Sequence, residues 1–226
     1  LYQAIVANKL AKQSGGVCFL RIEDTDQKRL VENGIEQILE AVKAYQIPFD
    51  EYPIDMEREV GAYGPYIQSK RADIYQAFAK DLIIKDLAYP SFLTEEEKKE
   101  MTEKQQKRKQ RIGYYGIWAS KERALTMEEV KEKVEAGIPY VIRLKSKGSF
   151  DKKIVIEDCI KGKIEFPEND MHHVLLKSDG IPTYHFAHAV DDTLMGTTHV
   201  TRGDEWVSSL PLHIELFHAL GFEPPK

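Results

Sequence analysis

Two segments far apart along the chain constrain its folding most. Phe19–Arg29 reads FLRIEDTDQKR, and Asp179–Asp192 reads DGIPTYHFAHAVDD, with HVTRGDEW following over His199–Trp206. Phe19 to Ile22 has the composition of a buried strand and ends abruptly in Glu23, Asp24 and Asp26. Ile181 to Asp192 leads from a turn through an aromatic run into a second acidic pair, and Arg202, Asp204, Glu205 and Trp206 follow a second strand-like run. In an open α/β sheet, ligands bind just beyond the carboxyl ends of strands, so polar clusters at such places are where a site is expected.

Size and charge narrow the partners. A chain of 226 residues that is 42% hydrophobic can bury about 70% of its unfolded surface in one large domain or two small ones. The net charge of −5 excludes a generally basic nucleic-acid coat, so any RNA contact must use local patches. No apolar run is long enough to span a membrane, and no signal peptide opens the chain. Cys18 and Cys159 lack metal-ligand spacing, which leaves a reducing, cytoplasmic setting as the expectation. Both ends read as cut. Leu1–Gln13 looks like a helix entered midway, and GFEPPK closes the chain straight after a well-patterned helix. A nucleotide-binding α/β domain should open with a strand and a phosphate-cradling turn, so a fragment is expected.

Along the chain, Gly15-Gly16 should stop the first helix, with Val17–Ile22 following as a short strand. Ile35, Ile38, Leu39 and Val42 fall at helical spacing. Gly61–Gln68 reads as a loop turning at Gly64-Pro65, and Ser69 is a candidate cap for a helix with Ile74, Phe78 and Leu82 on one face. From Asp86 the character changes. Ala88–Leu93 is strand-like, Glu95–Arg111 and Met127–Ala136 are charged helices, and Tyr140–Leu144, Ile154–Ile156 and Lys163–Phe166 are short strands. Buried-strand patterning returns over His173–Lys177, and an amphipathic helix spans Ser209–Leu220. The expected architecture is α/β: a Rossmann-type doubly wound parallel sheet in two halves, residues 1–85 and 173–226, split by an inserted α+β module over 86–172.

Each candidate site residue has a bland reading beside a functional one. Glu23 is either a solvated turn residue or a carboxylate that holds a ligand ammonium group. Thr25 suits a helix cap. Tyr184 is either core with one satisfied hydroxyl or a ligand contact. Arg202 is the natural counter-charge for a substrate carboxylate, since a planar guanidinium grips one in bidentate fashion; the alternative is a salt bridge to Asp204 or Glu205. Trp206 alone reads as core. Lys98, Lys99, Lys104, Lys107, Arg108, Lys109 and Arg111, interleaved with Glu95, Glu96, Glu97, Glu100 and Glu103, form either a solvated helix or a surface for phosphate backbone.

Taken in order, RIEDTD, YGPYIQSKR, GIPYVIRLK, VLLKSDGIPTYHFAHAVDD and TRGDEWVSSLPLH cover nearly the whole chain and resemble the catalytic domain of glutamyl-tRNA synthetases, class I aminoacyl-tRNA synthetases. The resemblance implies ATP-dependent attachment of L-glutamate to the 3′ end of tRNA through a glutamyl-adenylate, with ATP and Mg2+ as the substrate complex. It implies that Glu23 binds the α-amino group of glutamate and that Tyr184 and the position of His188 line the amino-acid pocket. A neutral imidazole both donates and accepts, so His188 is chemically suited there. Arg202 would meet a substrate carboxylate, Glu205 and Trp206 would lie near the ATP ribose and adenine, and Thr25 and Asp26 near the terminal adenosine of tRNA. The inserted module would bind the acceptor end of tRNA(Glu), and a cytoplasmic monomer is expected.

Many members carry a zinc site whose matching positions here are Ser91, Leu93, Tyr114 and Trp118. Leucine and tryptophan cannot ligate zinc and no thiolate remains, so no zinc is expected, with Phe92, Leu93 and Trp118 packing in its stead. The HIGH-type and KMSKS-type phosphate-binding motifs of the family would precede Leu1 and follow Lys226, so the chain as written is expected to be inactive or nearly so. Alternative readings are the truncated relative that glutamylates queuosine in tRNA, glutaminyl-tRNA synthetase, whose acidic-cluster sequence differs, and a noncatalytic tRNA-binding module.

Overall fold

The computed structural model describes residues 2–26 and 31–226, so Leu1 and the Gln27–Arg29 end of the first acidic stretch lie outside the described residues. Helix α1 (Tyr2–Ser14) stops at Gly15, whose φ of 66° is the left-handed conformation that glycine adopts without strain. The chain then runs extended and pairs in parallel with two neighbours in turn. Asp50 donates its backbone N–H to the Cys18 carbonyl at 2.8 Å, and Leu20 donates to Glu51 at 2.9 Å. From Ile22 the partner changes: Ile22 donates to Tyr66 at 2.8 Å, and Gln68 donates to Ile22 at 3.0 Å. This change of partner within a few residues keeps each parallel pairing to an isolated bridge.

Helix α2 (Gly34–Ala44) carries the expected amphipathic stripe and is followed by a two-residue antiparallel pair, β1 (Tyr52–Pro53) with β2 (Glu59–Val60). Tyr66 is fully buried, its hydroxyl donating to Glu51 and accepting from the Tyr63 N–H. A tight 3-10 turn, Gln68–Arg71, leads into α3 (Ala72–Ile84), which buries Tyr75, Ala79 and Leu82. Ser69 lies inside that turn, so it does not cap α3 with its side chain. Its backbone N–H instead donates to Asp24 at 2.8 Å.

Next come β3 (Ala88–Ser91), α4 (Glu95–Lys107), α5 (Gly116–Arg123), α6 (Met127–Glu135), β4 (Val141–Leu144), β5 (Lys153–Asp158), β6 (Gly162–Pro167) and β7 (Val174–Leu176). Thr94 with Glu97 and Thr126 with Glu129 close reciprocal capping boxes, which is why two helices so rich in charge begin where they do. Strands β5 and β6 form a hairpin, and β3, β4 and β7 form an antiparallel sheet in that order. Thus β7, from the third expected portion, pairs with β4 from the second. One apolar core takes Tyr75 and Leu82 from α3, Ile142 and Leu144 from β4, Leu175 and Leu176 from β7, and Phe186, Val190 and Leu216 from the two C-terminal helices.

Those helices are α7 (Tyr184–Leu194) and α8 (Leu210–Leu220), with a second 3-10 turn at Asp204–Ser209 between them. The aromatic run after the Gly180 turn is therefore a helix. Phe186 to Asp192 is buried without a break, so its polar residues face protein rather than solvent. The strand-like His199–Thr201 run is no strand; Val200 and Thr198 bond through their backbones to Lys226. Among the described residues no helix is long and apolar enough to cross a membrane.

A buried polar knot ties these parts together. Asp191, fully enclosed on α7, accepts hydrogen bonds from Arg71 Nε at 2.7 Å, Tyr75 OH at 2.7 Å and Gln68 Nε2 at 2.9 Å. A carboxylate out of water is tolerable only when its lone pairs are filled and its charge matched. Asp191→Ala would strand the Arg71 guanidinium and should lower unfolding free energy by about 3–5 kcal/mol, read as the shift of the urea midpoint at constant slope.

Candidate functional site

Helix α7 is the platform. Tyr184, His188 and Asp192 recur every fourth residue and so share one face. His188 Nδ1 donates to Asp192 Oδ2 at 2.8 Å, and the Tyr184 ring stacks on His188 with centroids 5.8 Å apart. Trp206, from the turn before α8, packs on Tyr184 at 4.7 Å. The Arg202 guanidinium lies over both rings, 5.4 Å from Tyr184 and 5.5 Å from Trp206. Among the described residues no carboxylate lies within ion-pair reach of Arg202. Asp204 pairs instead with Lys161 at 3.1 Å, and the Glu205 carboxylate folds back over Gly203. A guanidinium held on aromatic faces keeps its N–H fork available for an anion.

The opposite charge arrives from the N-terminal segment. Glu23 follows the parallel bridge at Ile22 and keeps its side chain 35% exposed while one oxygen receives Arg21 Nη2 at 3.3 Å. Burial pushes the Tyr184 hydroxyl up to about 12, with Arg202 pulling it down and Glu23 and Asp192 pushing it up. Glu23 and Arg202 therefore act on the same tyrosine from opposite ends of the sequence. His188, Arg202, Trp206 and His213 also line a cavity of about 140 Å³, closed on one side by Ile156 and Asp158 of the hairpin. His188 Nε2 is buried and, among the described residues, has no hydrogen-bond partner.

The remaining acidic-segment residues are held by backbone and side-chain contacts. Thr25 is buried and its carbonyl accepts Lys177 Nζ at 2.7 Å; the stretch it would cap, from Gln27 on, lies outside the described residues. Asp24 is fixed by the Ser69 N–H, and Asp26 is half-buried beside it in sequence. Trp206 is half-buried against Tyr184 rather than enclosed in the core, and Glu205 is exposed.

Three residues matter that sequence reasoning passed over: Arg21, Lys177 and Arg71. Arg21, with a side chain only 8% exposed, reaches Asp192 at 2.9 Å and Asp191 at 3.7 Å as well as Glu23. Burial disfavours its charge, but the three carboxylates outweigh burial and hold the guanidinium firmly protonated. A cation inside the apolar run FLRI was the one available signal, since charges are enclosed only when paired.

The positions matching the family's zinc ligands lie in a different kind of cluster. Ser91 accepts Arg143 Nε at 3.2 Å, and the Arg143 guanidinium sits 4.3 Å from the centroid of Tyr114. Leu93 packs with Tyr89, Tyr114, Ala119 and Met101. Trp118 lies under Arg108, and Phe92 tilts against Tyr140, so these two expected packing partners face elsewhere. A buried guanidinium there repels a dication, the neighbouring His172 imidazole is engaged by Tyr89 at 2.8 Å, and among the described residues no group of three His, Cys, Asp or Glu side chains could hold a metal ion. On the charged α4, Lys98 pairs with Glu95 and Lys104 with Glu100, while Arg111, beyond its end, is spent on Asp170.

All 226 residues match the family model described as tRNA synthetases class I (E and Q), catalytic domain. The chain belongs to that family. It is 52% identical over its full length to the glutamate–tRNA ligase of Clostridium perfringens strain 13 and 45% identical to that of Chlamydia trachomatis serovar L2b. It spans 41% and 43% of those two proteins. Among solved structures, the glutamate–tRNA ligase of Elizabethkingia meningosepticum, in complex with its amino acid, superposes with a TM-score of 0.88 at 38% identity, over 99% of this chain and 44% of that one. The catalytic domain of this family is Rossmann-like, and among the described residues the parallel pairings are the isolated bridges Phe19–Glu51 and Ile22–Ile67.

Three buried histidines, His172, His173 and His213, are held neutral. Burial, with the charges of Arg123 and Arg143, lowers His172 to about 4, and burial with His185 lowers His173 to about 4. Burial and the neighbouring His188 and His185 lower His213 to about 2. Unfolded, each would take a proton near the ordinary 6.5, so the unfolded state binds more protons as pH falls below that value. Stability should therefore drop as pH falls from 6.5 toward 4, by on the order of 1 kcal/mol per pH unit for each histidine, measured as urea midpoints across that range.

Proposed function

We propose that this chain is the catalytic portion of a glutamate–tRNA ligase, attaching L-glutamate to the 3′ end of tRNA at the expense of ATP. The observation that carries this reading is Arg202, held over the Tyr184 and Trp206 rings with no carboxylate partner among the described residues and lining a cavity with His188, while the half-exposed Glu23 is near enough to influence the same tyrosine. Glu23 would take the α-ammonium group, and Arg202 a carboxylate. Tyr184 and His188 would wall the pocket, with the unpartnered His188 Nε2 as an acceptor. Glu205 and Trp206 suit the ribose and adenine of Mg2+-bound ATP, the one by accepting ribose hydroxyls and the other by flanking a base. Thr25 and Asp26 suit the terminal adenosine, and residues 86–172 the tRNA(Glu) acceptor end. The family relationship supports each of these roles, and the donor chemistry at Ser91, Leu93, Tyr114 and Trp118 supports a ligase without zinc. We assign the protein to the cytoplasm as a monomer.

In the first step the glutamate α-carboxylate attacks the α-phosphorus of ATP, forming the acyl phosphate bond of glutamyl-adenylate as pyrophosphate leaves. In the second, a ribose hydroxyl of the terminal adenosine attacks the activated carbonyl, its proton is lost, and AMP leaves. Neither step asks for much acid–base chemistry from the protein. What it must supply is two anions held in line and stabilisation of the charge that develops. A cationic pocket also rejects glutamine, because the amide leaves the guanidinium without its carboxylate.

Arg202→Ala in the full-length gene product should raise the KM for glutamate about 30-fold or more, in keeping with the ~2 kcal/mol minimum for stripping one partner from a buried charge pair. The KM for ATP should change little. Steady-state aminoacylation with tRNA(Glu), with glutamate and ATP varied in turn, is the measurement; an unaltered glutamate KM removes Arg202 from the pocket.

A further inference from the structure

We infer that Arg21 is a positioning residue for the amino-acid pocket: it sets the place and charge of Glu23 by tethering that carboxylate to the Asp191-Asp192 pair of α7. This rests on the amino-acid-pocket reading above and deepens it. Among the described residues Arg21 is the one side chain in contact with all three carboxylates, at 3.3 Å from Glu23, 2.9 Å from Asp192 and 3.7 Å from Asp191. Its Nη1 is occupied by Asp192 and by the Met195 sulfur at 3.7 Å, and its Nη2 by Glu23. The guanidinium is thus clamped from the α7 side, and Glu23 is the ligand-facing end of the clamp.

Two consequences follow from that geometry. Only Glu23 Oε1 is engaged by Arg21, which leaves Oε2 as acceptor for an ammonium group. The same helix that carries Tyr184 and His188 also carries the aspartates that fix Arg21, so both walls of the pocket share one rigid body. Asp191 is already filled by Arg71, Tyr75 and Gln68, so the tether to α7 runs chiefly through Asp192. The planar guanidinium spans Asp192 and Glu23 at once, whereas a lysine ammonium is a point charge that serves one of them well.

The test is a double-mutant cycle in the full-length gene product, with glutamate and ATP KM and kcat measured for Arg21→Lys, Glu23→Gln and the pair, and melting temperature as a check on folding. Arg21→Lys keeps the positive charge among the aspartates and should raise the glutamate KM about tenfold while ATP KM is unmoved. In a Glu23→Gln background the same substitution should add little, because Arg21 acts through Glu23. Fully additive effects on glutamate KM, or an Arg21→Lys protein that melts normally with unchanged KM, would overturn the positioning role. A Glu23→Gln enzyme with unaltered glutamate KM would instead reject the amino-acid-pocket reading itself. Should Arg21→Lys fold poorly, Asp192→Asn loosens the same tether from its other end and should raise glutamate KM in the same direction; no rise there overturns the proposal.

Discussion

The fold of this chain depends on one buried carboxylate. Asp191 sits on α7 out of reach of water, and every polar atom that satisfies it comes from the segment Gln68–Tyr75 or from Arg21. The N-terminal parallel segment, the 3-10 turn before α3 and the α7 helix meet at that point. Charge complementarity in a low-dielectric setting is demanding of geometry, so the knot adds a precise constraint to pieces already joined by the Ile22 backbone pairing and the shared apolar core.

That placement is what makes a pocket. Asp192, next in sequence, is held well into the ionised range: burial opposes its charge, but the His188 hydrogen bond and Arg21 outweigh it and bring it to about 2. Its neighbours His188 and Tyr184 then stand in a fixed stack, with Trp206 and Arg202 laid over the end. Arg202 and Arg21 on one side of the balance, and Glu23 and Asp192 on the other, are the charges felt by the Tyr184 hydroxyl.

The hairpin β5–β6 adds a wall from the region between the two halves of the site. It has no sheet neighbour among the described residues, yet its Lys161 reaches Asp204, and Ile156 and Asp158 face the Arg202 cavity. At its base, Glu215 of α8 accepts from Ser146, Asn169 and the Lys147 N–H, so the helix that follows the Trp206 turn also anchors the hairpin's two ends.

The sequence by itself determined the identity of the segments that matter. Glu23, Tyr184, His188 and Arg202 were legible because polar residues at the ends of apolar runs are chemically conspicuous, and the ordered motifs tie them to one family. Most helices were legible too, since α2, α3, α4 and α6 carry stripes or capping boxes that are local in origin. Only tertiary structure decided the rest. Strand direction was hidden because β7 and β4 read alike whichever way they pair. Helix α7 carries a four-residue period in Tyr184, His188 and Asp192, but only folding shows that this polar face is turned toward Arg21 and Trp206 rather than toward water. The work of Arg21, Arg71 and Lys177 was hidden because each pairs with a residue far away in sequence, and no local pattern records a partner supplied by folding.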